Sequence, residues 1–468
     1  MPESLNTPPP LPSEKPVSPT TILSWLIIIV SVAFLAWTAN QPIEEELPPE
    51  TASEQGLIPI DDANELAMLK IQSRFIIGVY QVNRPEAISS LKQLESLAKT
   101  PRGKAAIAIV KSFVDQENGL KTGIDYLETI DTSKDSNQRL KTKVLSAIQD
   151  GVDEEQRSDL KREVGWFSKL LPPEDPTNEN TIGEAVRKES FNTMIKLGGF
   201  FSIAFLAGLS GFVLLVLFFI NLSNGSIKLR FDATRGSGKR HLFLEAFAVY
   251  IGIMALGHWL AVAVDPIISI ISYAASFLLA VMWPFFRGCS WKEARSLIGW
   301  NRGAGFFREI GAGIVGYLGI IIFAIVGLIG TLILIAIFNL IQGGDDPASA
   351  AGTSHPIVGM LDSANSIWGK LSLLFLAAGL APLLEETMFR GALFRYMRKS
   401  WGFILSSVVG GIIFAIIHPQ GMFALPALSM MGIGFALLRE WRDSLIASMT
   451  AHALNNGMIV TLLLSIMT

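Results

Sequence analysis

Two hydrophobic patterns divide the chain. Residues 21–39 and most of the stretch from 197 onward are long apolar runs, whereas 41–196 alternate apolar and polar positions with a helical period. The run TILSWLIIIVSVAFLAWTA at 21–39 is long enough to cross a hydrocarbon core of about 30 Å. Further apolar runs at 197–221, 242–263, 267–286, 311–341, 367–384, 403–418, 423–438 and 444–465 are separated by short polar loops, so about nine spans are expected. Residues 1–20, rich in proline and serine, read as a disordered tail. A cleaved signal peptide is the rival reading of 21–39. The tail before it carries only Glu3, Glu14 and Lys15 and lacks a basic leader, so the run reads as an uncleaved anchor.

Between the anchor and the later spans, helical periodicity shows at 64–82, 85–98, 103–115 and 139–148, punctuated by Pro85, Pro101, Pro172, Pro173 and Pro176. This predicts a small all-helical domain over 41–196, with no clean internal repeat. The fold class expected is all-α: a polytopic membrane helix bundle of about eight spans after an N-terminal anchor helix, with an inserted soluble helical domain.

Charge adds orientation. The loops 228–240, 287–309 and 390–399 are basic and belong to the cytoplasm by the positive-inside rule, and Glu44–Glu46 belongs outside. Counting spans from a cytoplasmic N-terminus reproduces all these placements and makes 41–196 extracytoplasmic. The chain is expected in the cell's inner membrane. Only 17% of residues are charged, against about a quarter in soluble domains. The net charge of −3 gives no electrostatic footprint for nucleic acid. The single cysteine, Cys289, allows no internal disulfide, and no histidine near it in sequence supports a thiol nucleophile.

Ionisable groups inside apolar helices are costly and call for a reason. Three patterns carry them: Glu385-Glu386-Thr387-Met388-Phe389-Arg390, Phe414-Ala415-Ile416-Ile417-His418, and His452-Ala453-Leu454-Asn455-Asn456. On a helix Glu386 and Arg390 (i, i+4) share a face and can pair, whereas Glu385 lies about 140° from Arg390. One carboxylate is then structural, and the other is free to act as a base. Trp401-Gly402 reads as a turn. Glu385 lies 16 residues before Trp401 and His418 lies 16 after Gly402, so a hairpin places both at one level, about 24 Å from the turn. His452 and Asn456 share one face of the last helix and offer donors for the oxyanion of a tetrahedral intermediate. Counted from the polar turn Arg439–Asp443, His452 sits nearer that turn than the hairpin pair, and a tilt or kink must close the gap.

The patterns EExxxR, FxxxH and HxxxN, in this order in a polytopic chain, resemble the CAAX-protease and bacteriocin-processing (CPBP, or Abi) family, whose eukaryotic members are the type II CAAX endopeptidases. The resemblance covers roughly residues 371–464, with all three motifs intact, and makes 367–468 the catalytic core and 197–366 accessory helices. It implies an intramembrane endopeptidase acting on a membrane-associated or lipidated protein. In it Glu385 and His418 activate water, His452 and Asn456 stabilise the oxyanion, and Glu386 and Arg390 support the glutamate helix. It also implies a glutamate-dependent reaction with no essential cofactor.

Zinc is the alternative cofactor, with Glu385, His418 and His452 as three ligands beside an open position, although the HExxH helix of zincins is absent. The bilayer is one expected partner, and 41–196 offers a surface for a protein partner. Two other functional readings compete: a non-catalytic membrane scaffold that binds a partner through 41–196, and a proton or ion relay. The relay lacks paired inverted repeats. Taken singly, the motifs have bland readings as interface polarity or interhelical hydrogen bonds. Their joint occurrence favours the enzyme. His258 reads as packing, His241 and His355 as loop-edge residues, Asp265-Pro266 as a short turn, and Asp345-Asp346-Pro347 as a loop. The glycines of 299–330 read as close helix packing.

Overall fold

A computed structural model describes residues 18–39, 60–115, 118–175, 179–265, 267–342, 357–364 and 366–467. The expectations for the tail before residue 18, for Glu44–Glu46, Pro176, Pro266, Asp345–Pro347 and His355 lie outside the described residues. Within them the chain is all-helical, without strands. Among the described residues seven helices are long and apolar enough to cross a membrane. Two of the nine expected spans are accounted for differently. The run 267–286 forms a helix (Ile267–Phe286), but its apolar stretch, Ile271–Phe286, is shorter than the others. The runs at 367–384 and 403–418 belong to one helical stretch, Ile367–Ile416, broken at Gly402. Gly402 adopts φ 73°, a left-handed conformation that glycine reaches without strain, so the chain turns there with no intervening loop.

The membrane bundle contains α1 (Pro19–Ala39), α8 (Glu179–Ser223), α9 (Arg240–Ala263), α10 (Ile267–Phe286), α12 (Phe306–Gln342), α14 (Ile367–Ile416), α15 (Leu425–Arg442) and α16 (Leu445–Met467). A short helix, α11 (Trp291–Ile298), lies between α10 and α12, and another, α13 (Ile357–Ser363), precedes α14. Phe201, Phe205 and Phe212 on α8 and Ile329 and Leu332 on α12 are exposed. Hydrocarbon around the bundle makes such apolar surfaces stable, and the chain is an integral membrane protein.

Helices α2 (Ile60–Tyr80), α3 (Arg84–Glu95), α4 (Pro101–Val114), α5 (Gly119–Leu127), α6 (Asp135–Asp150) and α7 (Glu154–Val164) enclose a separate core of Leu66, Ile77, Leu91, Ile107, Val144 and Phe167. Their starts are locally encoded. Asn83 caps α3, Thr100 caps α4, and Asp153 with Gln156 forms a reciprocal capping box on α7. Glu65 accepts from the backbone N–H of Lys99 and Thr100 at 3.1 Å each. Burial raises its carboxyl above the ordinary value.

Helix α8 begins well before the apolar run at 197. Its polar first part runs along α2, where Arg74 pairs with Glu189 at 3.0 Å and Gln81 donates to the Arg187 carbonyl at 2.8 Å. A change from polar to apolar side chains does not interrupt helical hydrogen bonding, so one 45-residue helix passes through the expected boundary at 196. The helical domain also grips the end of the last membrane helix. Lys70 donates to the Met467 carbonyl at 3.0 Å, and Arg74 and Lys196 donate to the carbonyls of Ile466 and Ser465. The last carbonyls of a helix have no partner within it and carry partial negative charge, which these cations satisfy.

Candidate active site

Glu385 and Glu386 end a short α-helical segment, Ala381–Glu386, set between two π-helical stretches, Leu376–Leu380 and Thr387–Leu393. Such wide turns insert a residue into a helix, redirect its side chains, and recur at functional sites. Glu386 is fully buried. Its Oε1 receives Arg390 Nη1 at 2.9 Å and His452 Nδ1 at 3.0 Å. Arg390 in turn donates to the Gly432 carbonyl at 2.9 Å, between the rings of Phe414 and Phe435. Two charges taken out of water are tolerable only when paired and hydrogen-bonded in this way.

Glu385 is placed differently. Its side chain is 15% exposed, and among the described residues no donor reaches Oε2 within hydrogen-bond distance. Two imidazole nitrogens face that oxygen: His418 Nε2 at 3.9 Å and His452 Nε2 at 3.7 Å. His418 closes the second arm of α14, where its Nδ1 lies against the Phe414 carbonyl and its ring against that of Phe414. A carbonyl can only accept, so Nδ1 carries the proton and Nε2 presents a lone pair to Glu385. The ring of His452 stacks on Phe435 with centroids 4.8 Å apart.

Glu385, His418 and His452 thus meet around one point. The break at Gly402 folds α14 back on itself, and the two residues placed level by counting from the turn are in contact range. The gap expected for His452 is closed, since its Nε2 lies 3.7 Å from Glu385 Oε2.

Asn456 lies one turn beyond His452 and donates through Nδ2 to the Ala377 carbonyl at 3.0 Å, inside the first wide turn. Its Oδ1 accepts from Asn455 at 3.1 Å. One N–H of the expected oxyanion donor is therefore engaged with the backbone, and the N–H of His452 is engaged with Glu386.

Several neighbours carried no sequence signal. Trp300 Nε1 donates to Thr387 Oγ1 at 3.0 Å beside the glutamate pair. Arg439, fully buried, donates to the Ile298 carbonyl at 3.1 Å and ties α11 to α15. Tyr250 and Tyr273, on α9 and α10, lie within electrostatic reach of Glu385. An aromatic residue in an apolar span reads as packing, and only the folded arrangement singles these two out. His258 packs edge-on against Phe34.

Among the described residues no group of three His, Cys, Asp or Glu side chains is placed to hold a metal ion. Tetrahedral zinc with bonds of about 2.0–2.1 Å sets its ligand atoms about 3.3 Å apart. The separations here are 3.7 and 3.9 Å. An apolar cavity of about 220 Å³, lined by Phe218, Gly316, Ile320, Leu438 and Trp441, lies between α8, α12 and another face of α15.

Searches of the curated proteins and of the solved structures found no match. A family model described as "Type II CAAX prenyl endopeptidase Rce1-like" matches residues 367–458, which include both arms of α14, all of α15 and the part of α16 that bears His452 and Asn456. Through this C-terminal segment, the chain is similar to the Rce1-like type II CAAX prenyl endopeptidases.

Proposed function

We propose that the chain is an intramembrane endopeptidase that hydrolyses a peptide bond in a membrane-associated or lipidated protein, with Glu385 as the general base. The observation that carries this reading is the convergence of Glu385 with His418 and His452 where the two arms of a membrane hairpin meet the last helix, far from the bend at Gly402. The match of residues 367–458 to the Rce1-like family model supports protease chemistry of the CAAX type.

The geometry supports a definite first step. Glu385 Oε2 and His418 Nε2 are both acceptors, and they face each other at 3.9 Å. A water about 2.8 Å from each can donate one hydrogen to each, which leaves its lone pair directed away from both. Glu385 takes the proton as the water oxygen bonds to the scissile carbonyl carbon, and the carbonyl oxygen becomes the oxyanion. The protonated Glu385 then delivers that proton to the departing amide nitrogen as the C–N bond breaks, which regenerates the carboxylate. Glu386 and Arg390 take no part in proton transfer. They hold His452, and with it the wall of the site, in place.

The test is hydrolysis of a prenylated reporter peptide by the purified full-length protein in detergent. Glu385→Gln and His418→Ala are each expected to lower kcat by at least about 100-fold. Wild-type rates in both variants would overturn the reading.

A further inference from the structure

We infer that Tyr250 is a further catalytic residue, whose phenol donates a hydrogen bond to the carbonyl oxygen of the scissile bond as that oxygen becomes an oxyanion. The inference rests on the peptidase reading and addresses what that reading leaves unsupplied. Charge developing in a water-poor site needs donors already aimed at it. The obvious donors are largely occupied. His418 directs its N–H to the Phe414 carbonyl and His452 directs its own to Glu386. Arg390 serves Glu386 and Gly432, and Asn456 has one amide N–H left after binding Ala377.

Contacts along α9 place Tyr250. At its start, Arg240 donates to Ser400 Oγ at 2.6 Å, near the end of the first arm of α14. Two turns further, the Phe247 ring meets Phe389 with centroids 5.2 Å apart. The two helices therefore run antiparallel. One more turn forward on α9 is Tyr250, and one more turn back on α14 is Glu385, at the same level. Tyr250 is wholly buried in the cluster that holds Phe247, Met388, Phe389 and Phe414.

Among the described residues its hydroxyl makes no hydrogen bond of proper length and angle, and Tyr273 on α10 lies close enough to interact with it. Packing alone accounts for the ring but not for the oxygen, since phenylalanine fills the same space without a buried hydroxyl that lacks a protein partner. A neutral O–H donor suits a site that already holds a carboxylate, because it adds no charge until the oxyanion forms. Tyr273, which also feels the charge of Glu385, is placed to polarise that O–H through its own hydroxyl.

The experiment compares full-length wild type, Tyr250→Phe and Glu385→Gln on the same prenylated peptide. Alongside them is protein carrying fluorotyrosines of graded acidity at position 250, which keeps the ring and hydroxyl in place should the phenylalanine variant fail to fold. Tyr250→Phe is expected to lower kcat about 100-fold, with KM within about twofold and an unchanged unfolding temperature. In the fluorotyrosine series kcat is expected to track phenol acidity, a response that a packing role would not give. Wild-type kcat in Tyr250→Phe, or a flat fluorotyrosine series, with Glu385→Gln inactive, overturns the role of Tyr250 and leaves the peptidase reading standing. Full activity in Glu385→Gln overturns that reading and the role of Tyr250 with it.

Discussion

His452 Nδ1 lies 3.0 Å from Glu386 Oε1, the same oxygen that receives Arg390. The histidine is therefore held by a carboxylate that is itself held by an arginine, and its other nitrogen faces Glu385. The two adjacent glutamates are placed differently: Glu386 is held by two side chains, and among the described residues Glu385 Oε2 has no hydrogen-bonded partner.

That division predicts opposite stability effects at neighbouring positions. Glu386→Ala leaves a buried Arg390 uncompensated and frees His452, so it is expected to destabilise the protein by about 3–5 kcal/mol. Glu385→Gln alters a side chain whose Oε2 accepts no hydrogen bond among the described residues, so its unfolding temperature is expected to equal or exceed the wild-type value while hydrolysis is lost. Thermal unfolding of both variants in one detergent checks this, and a destabilised Glu385→Gln would contradict it.

Much of this arrangement could be read from the chain. Long apolar runs reveal membrane helices because hydrocarbon demands them. Glu385 and His418 could be matched because Gly402, a residue with a recognisable turn chemistry, fixes the point from which both are counted. The wide turns at Leu376–Leu380 and Thr387–Leu393 were not legible, since no residue type marks an inserted position in a helix. With them went the partner of Asn456, a backbone carbonyl inside the first of those turns. Tyr250 was hidden for another reason: its role depends on which helix α9 packs against, and apolar periodicity does not encode that.

The grip of Lys70 on the Met467 carbonyl, with Arg74 on Ile466, links the helical domain to the helix that carries His452. Lys70→Met with Arg74→Met is expected to release the last turns of α16. Hydrogen–deuterium exchange should then rise several-fold in a peptide covering 457–467, and kcat should fall with KM little changed. Exchange at the wild-type rate would show that apolar packing alone holds this end.

Metal dependence gives a sharp test of the side-chain geometry. Nδ1 of His452 is committed to Glu386, and the distances from Glu385 to the two imidazoles exceed those of a tetrahedral zinc shell. Hydrolysis is expected to survive dialysis against a strong chelator, with less than one zinc per molecule by elemental analysis. Activity lost on chelation and restored by zinc alone would require these three side chains to rearrange around an ion.

The seat of Arg390 depends on close backbone approach between α15 and the second arm of α14. A Cβ on Gly411 would lie 2.6 Å from the Ser429 carbonyl oxygen, and one on Gly432 would lie 2.8 Å from the Cα of Gly411. These are backbone contacts, which cannot yield by a rotamer change. Gly411→Val must therefore push the helices apart and draw the Gly432 carbonyl away from Arg390. The expected cost is about 1–3 kcal/mol of stability. A loss of kcat should accompany it, because Arg390 anchors Glu386 and Glu386 anchors His452. Gly410→Ala is the matched control, since its added methyl meets only the flexible end of Met397 at 3.6 Å. Comparable unfolding temperatures and rates in the two variants would break the proposed chain of support from helix spacing to the catalytic wall.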